Sequence, residues 1–129
     1  MELRQKYDRI DAEGFQVISI SPDTPDNSRQ TKTRYRLPFT VLSDSRMEAA
    51  TAFGITWRVT NRDDDYYAKL QRASGETHRL LPVPAYFIVD TAGLIWFEYV
   101  NPNYRVRPPV ELMLAGVQAV ITMWNTQAE

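Results

Sequence analysis

The run FQVISIS, from Phe15 to Ser21, sets the tightest limit on how this chain folds. It is short, rich in β-branched residues and apolar at positions of both parities, so as a strand it has no fully polar face to offer water. Such a strand belongs in the interior of a parallel sheet covered on both sides by helices. Parallel neighbours need crossover connections, usually helical, so helices should alternate with strands around it.

The flanking segments follow that rule. Residues 1–12 place Leu3, Tyr7 and Ile10 on one helical face, with Glu2–Lys6 and Arg4–Asp8 as favourable i,i+4 pairs, and Gly14 supplies the stop. After FQVISIS, the segment Ser21-Pro22-Asp23-Thr24-Pro25 turns the chain. Thr24 reads as an N-cap and Pro25 as the first helical residue, where a missing N–H costs nothing. A thin-faced surface helix follows to about Arg36 and Pro38 ends it. Phe39 to Leu42 reads as a second short strand. Ser45 with Glu48 reads as a capping box before a helix carrying Met47, Ala50 and Phe53, closed by Gly54.

From Ile55 to Leu81 the periodicity degrades. Thr56 to Thr60 reads as extended, Asp63 as the cap of a helix bearing Tyr66, Tyr67 and Leu70, and Ser74-Gly75 as its end; residues 55–81 are expected to be an insertion over the core. Ala85–Asp90 and Leu94–Val100 form an antiparallel hairpin turned at Gly93. From Val110 a closing helix sets Val110, Leu114, Val117, Ile121 and Trp124 on one stripe. The order predicts an α/β fold with a mixed sheet covered on both faces, as a single domain over residues 1–129.

Composition narrows function mainly by exclusion. Fifteen basic and sixteen acidic side chains leave a formal charge of -1, so no whole-chain field favours nucleic acid or an anionic membrane. No apolar run approaches the roughly 20 residues that span a bilayer, and the charged N-terminal segment has no signal-peptide core, so a cytoplasmic protein is expected. Arg29, Arg34 and Arg36, and again Arg105 and Arg107, read as solvated charges rather than anion-binding patches. There is no cysteine, which removes disulfides, thiolate metal sites and every cysteine nucleophile from these residues. The one histidine, His78, rules out a multi-histidine metal site, and neither a metal nor a cofactor is expected.

Three further groups have a bland reading. Asp63-Asp64-Asp65 reads as a helix cap with solvated charges, because no glycine or later glutamate completes a calcium loop. His78, beside Arg79, has no recognisable Ser or Asp partner and reads as a surface or hydrogen-bonded structural residue. Trp57, Tyr66, Tyr67 and Trp96 read as packing aromatics rather than a substrate wall.

The segments FQVISISPDTPDNSRQ, LPFTVLSD and LPVPAYFIVDTAGLIWFEYVNPNYRVRP, in this order and spacing, resemble the peroxiredoxin-like branch of the alkyl hydroperoxide reductase / thiol-specific antioxidant (AhpC/TSA) family. The resemblance covers about residues 1–120. It implies a thioredoxin-like three-layer sandwich and the activity of a thiol-dependent peroxidase, an antioxidant oxidoreductase. Family members similar to this chain carry one more strand, then a Trp-Cys-Pro-x-Cys-like segment at the start of the helix matching residues 1–13. The fold is thus expected to be N-terminally truncated here, with the peroxidatic thiol belonging just upstream of Met1. Peroxide reduction of this kind needs a thiolate to attack the O–O bond, and Ser and Thr hydroxyls are far too basic to replace it.

By the same resemblance four residues face the thiol site: Val83, Pro84, Pro22 and Thr24. Where well-known peroxiredoxins keep an Arg near the hairpin entry, this chain has a proline in the thioredoxin manner, which implies a cis Val83–Pro84 bond. Capping alone accounts for Thr24. No residue of the chain is assigned a catalytic role.

In the thioredoxin arrangement the absent strand is central, between the Phe15 strand and the Ala85 strand. Its loss would leave buried N–H and C=O groups unpaired, each costing about 1–3 kcal/mol against a domain stability of about 5–15 kcal/mol. Three outcomes stay open: a longer enzyme that carries the Cys and uses a thiol reductant, a silent module whose strands close on each other, or a binding element that recruits a strand from a partner or a second copy. On its own the chain is expected to be catalytically inactive.

Overall fold

The computed structural model describes residues 2–103 and 106–128, without the side chains of Glu2, Gln5 and Ala128. Arg105 and the proposed Glu2–Lys6 pair therefore lie outside the described residues. The element order is α1 (Glu2–Ala12), β1 (Ile18–Ser21), α2 (Pro25–Arg34), β2 (Thr40–Ser43), α3 (Glu48–Ala52), β3 (Thr56–Arg58), α4 (Asp64–Ser74), β4 (Leu80–Pro82), β5 (Ala85–Val89), β6 (Ile95–Val100) and α5 (Val110–Ala128). These elements form two compact units, one of Gln16–Pro82 and one joining Glu2–Phe15 to Val83–Glu129.

In the first unit β1 and β2 are parallel, with Ile18 opposite Thr40 and Ile20 opposite Leu42. The crossover helix α2 connects them, as a parallel pair requires. Thr24 caps α2 by accepting the Asn27 N–H at 3.1 Å, and Pro25 occupies its first turn. The helix ends two residues earlier than the sequence suggested. Arg36 adopts a left-handed φ of 50° and the Leu37 N–H reaches back to the Lys32 carbonyl at 3.0 Å, a closure usually built on glycine. This folds Leu37 and Phe39 into the core with Met47, Ala50 and Val59.

Helix α3 overturns the capping-box expectation. Its N-cap is Met47, in the left-handed region at φ 62° and with no side-chain cap of its own. Asp44 accepts from the N–H groups of Ala49 and Ala50 instead, at 3.0 and 2.9 Å. The reason is burial: Met47 is 1% exposed, and driving it inward starts the helix later than a Ser45 cap allows. A carboxylate with two acceptor oxygens also satisfies more of the open helix end than a hydroxyl.

Residues 55–81 hold more structure than their weak periodicity implied. β3 pairs antiparallel with β4, a strand the sequence reading left out, with Trp57 opposite Leu81. Between them runs α4, capped by Asp63, which accepts the Tyr66 N–H at 2.8 Å, and stopped by Gly75 at φ 71°. The last turn of α4 binds the start of α2: the Ala73 carbonyl accepts the Thr24 N–H at 2.8 Å and the Asn27 side-chain amide at 3.0 Å.

In the second unit β5 and β6 form the expected antiparallel hairpin, turned at Gly93 with φ 89° and carrying a bulge at Ile88/Val89. Ile88, Val117 and Val120 form its core, with Phe97 and Ile121 packed against them. Phe15 stacks on Trp124 at 5.5 Å, and Trp96 meets the same ring edge-on at 5.9 Å. Gly116 lets α5 approach the Phe97 ring so closely that a Cβ there would stand 2.9 Å from it. Helix α1 lies beside α5, where Lys6 and Glu111 form an ion pair at 2.6 Å.

Among the described residues the strands make three two-stranded ladders, one parallel and two antiparallel. The expectation of double coverage for β1 is corrected: Ile18 and Ile20 are each 49% exposed, and Leu42 beside them 46%. Each of β1 and β5 has a single ladder partner among the described residues.

Candidate functional site

The four residues expected to face a thiol site fall in both units. Pro22 and Thr24 belong to the turn after β1. There the Asp23 N–H donates to Ser21 Oγ at 3.1 Å, and Ser43 Oγ donates to the Asp23 carbonyl at 2.5 Å. Thr24 has its hydroxyl on Asn27 and its N–H on Ala73, so capping and helix docking account for it fully. Val83 and Pro84 lead into β5 and are half-buried. The Val83–Pro84 bond is trans, which corrects the cis expectation. Trans is the intrinsic preference of X–Pro bonds by about 0.5–1 kcal/mol, and the Pro84 carbonyl accepts the Asn101 N–H at 3.4 Å in an ordinary strand entry.

The first unit also holds a cleft of about 320 Å³, lined by α4, by residues 76–81 and by Pro22 and Asp23. His78 is clamped at its wall. Its Nδ1 accepts the Leu80 N–H at 3.0 Å, so the proton sits on Nε2, which donates to the Ser45 carbonyl at 2.7 Å. Both ring nitrogens are used by backbone groups, which leaves neither to act as a base. The structural reading of His78 matches this geometry, and the partners are two backbone groups far apart in sequence, which no motif announces.

Arg79 follows in the left-handed region at φ 56°. Its carbonyl accepts the Val59 N–H at 2.9 Å, and its guanidinium lies 3.9 Å from the centre of the Tyr67 ring. The Tyr67 hydroxyl in turn donates to the Val59 carbonyl at 3.4 Å, so ring and cation are held to the end of β3. Asp23 and Asp64 are acidic members of the same lining. Nothing in the sequence pattern joins Arg79 to Tyr67. Only the turn between α4 and β4 brings the guanidinium over the ring.

The remaining candidates play structural parts. Asp63 is a cap, and among the described residues no group of three His, Asp or Glu side chains is placed to hold a metal ion. Trp96 packs on Trp124 and donates its indole N–H to Asp90 at 3.0 Å. Arg29 pairs with Asp26 at 3.1 Å on the surface of α2, and the Arg34 guanidinium lies 5.5 Å from the ring of its neighbour Tyr35.

Comparison with solved structures defines the class first. A cysteine-to-serine mutant of peroxiredoxin 6 from Arenicola marina matches with a TM-score of 0.66, covering 92% of this chain and 51% of that one at 16% identity. The fold is therefore thioredoxin-like, of the kind found in peroxiredoxins. The AhpC/TSA family profile matches residues 1–97, and the chain belongs to the AhpC/TSA family. Chloroplastic peroxiredoxin Q of Populus jackii and that of Gentiana triflora are each 35% identical over 52 residues, 40% of this chain. The match spans 24% of the length of these relatives.

Proposed function

We propose that this chain is the scaffold portion of a peroxiredoxin-type thiol peroxidase whose sulfur nucleophile lies outside these 129 residues. The observation that carries the reading is the conjunction of a family match over residues 1–97 with a complete absence of cysteine. The family's chemistry needs a thiolate that becomes a sulfenic acid as the peroxide O–O bond breaks, after which a thiol reductant restores it. No hydroxyl or imidazole of this chain can take that role: Ser and Thr are too basic, and both His78 nitrogens are occupied. Val83, Pro84, Pro22 and Thr24 are then the residues that face the thiol, by family resemblance.

The test has two arms. The purified chain with hydrogen peroxide and dithiothreitol should consume peroxide no faster than a protein-free blank. A version extended at its N-terminus by a β-strand and a Trp-Cys-Pro-x-Cys segment should gain cysteine-dependent turnover, lost when the first Cys is changed to Ser. Turnover by the unextended chain would sink the proposal, as would a folded extension without activity.

A second reading, a non-catalytic module that binds through an open sheet edge, is favoured by one feature. β1 has a single ladder partner among the described residues and shows Ile18 and Ile20 to solvent. Edges of that kind accept an added strand from a partner or from a second copy. Size-exclusion chromatography separates the readings, because a concentration-independent monomer is incompatible with strand sharing between copies.

A further inference from the structure

The cleft beside α4 has features that the peroxidase reading does not use. Its wall carries a guanidinium with no ion-pair partner among the described residues, Arg79, centred 3.9 Å over the Tyr67 ring. Its lining also includes three carboxylates: Glu76 pairs with Arg46 at 3.8 Å, whereas Asp23 and Asp64 have no ion pair among the described residues. Leu70, Ala73 and Leu81 make part of the lining apolar. A guanidinium held over an aromatic face by a cation–π contact still carries its N–H donors in the planar fork that suits a carboxylate. Arg79 is held at φ 56°, a left-handed conformation that is strained for a non-glycine residue, and such strained residues cluster at ligand sites.

We infer that this cleft is a binding site for a small zwitterion of the α-amino-acid class. The ligand carboxylate lies on the Arg79 fork, its ammonium group faces Asp23 and Asp64, and its side chain rests on Leu70, Ala73 and Leu81. Opposite charges in one lining favour a ligand bearing both signs over a simple anion, which the two carboxylates repel, and over a simple cation, which Arg79 repels. The volume of about 320 Å³ lies at the small end of ligand sites, about 300–1,000 Å³, and suits a ligand of amino-acid size.

The experiment is titration of the 129-residue chain with L-leucine, followed by the backbone amide signals of Tyr67, Arg79 and Leu81. L-leucinamide and 4-methylpentanoate, each lacking one charged end, run beside it. Leucine should shift these signals at millimolar concentration, and each truncated analogue should bind about tenfold more weakly or worse. Arg79→Gln should weaken leucine about tenfold, and Arg79→Lys should rescue only part of the loss, because an ammonium lacks the fork. Absence of shifts with leucine and the other protein amino acids would overturn the inference. So would equal binding of leucine and 4-methylpentanoate. These comparisons use the unaltered chain, so they decide the matter even if the Arg79 variants fail to fold.

Discussion

Two side chains show how single residues set local stability. Asp90 closes the hairpin turn: Oδ1 accepts the N–H groups of Ala92 and Leu94, both at 2.9 Å, and Oδ2 accepts the Trp96 indole at 3.0 Å. These bonds, the one from Trp96 foremost, favour the charged form and pull its pKa below the ordinary 3.8. A depressed folded-state pKa gives stability that is present above the unfolded value and lost as pH falls through the folded one. Asp90→Asn should therefore lower the urea midpoint at neutral pH, and the gap from the parent should narrow below about pH 4. Urea titrations at several pH values check this, and a gap that is constant with pH would show that the carboxylate charge is not involved. Ser28 is the opposite case. It is 3% exposed within α2, and its hydroxyl finds no partner among the described residues. Ser28→Ala should stabilise the protein by about 1 kcal/mol, from relief of a buried unsatisfied group and better helix propensity, as read by thermal unfolding.

At the scale of elements, the decisive question is which group satisfies each helix end. Thr24 and Asp63 were legible as caps because each stands just before its helix, and Gly75 as a stop because only glycine enters the left-handed region without strain. The start of α3 was not legible, because the local pattern Ser45-x-x-Glu48 competes with the burial of Met47, and burial wins. Asp44→Ala should cost about 1 kcal/mol and Ser45→Ala markedly less, since the Ser45 contribution to the fold is its carbonyl bond to His78. Chemical denaturation of the two variants distinguishes the caps. β4 leaves no mark in the sequence for a related reason. Leu80–Pro82 is too short to show a period and exists as a strand only because β3 lies opposite.

For the molecule as a whole, the open face of β1 and β2 carries the main consequence. Ile18, Ile20 and Leu42 present adjacent apolar side chains to solvent, and such patches bind hydrophobic surfaces or promote association. Ile18→Thr combined with Ile20→Thr should leave the melting temperature within a few degrees of the parent while reducing binding of a hydrophobic dye and association at high concentration. A large loss of stability would instead mean that these side chains are buried in solution. The alternation of helices and strands, the parallel and antiparallel pairings, the hairpin and the lack of a sulfur nucleophile all follow from local pattern and composition. Those properties depend on residues within a turn or two of one another, or on simple presence. The β3–β4 ladder, the His78 clamp and the Arg79–Tyr67 contact arise differently. Each joins groups distant along the chain, so its energy exists only once packing has fixed both partners, and no local period carries a trace of it.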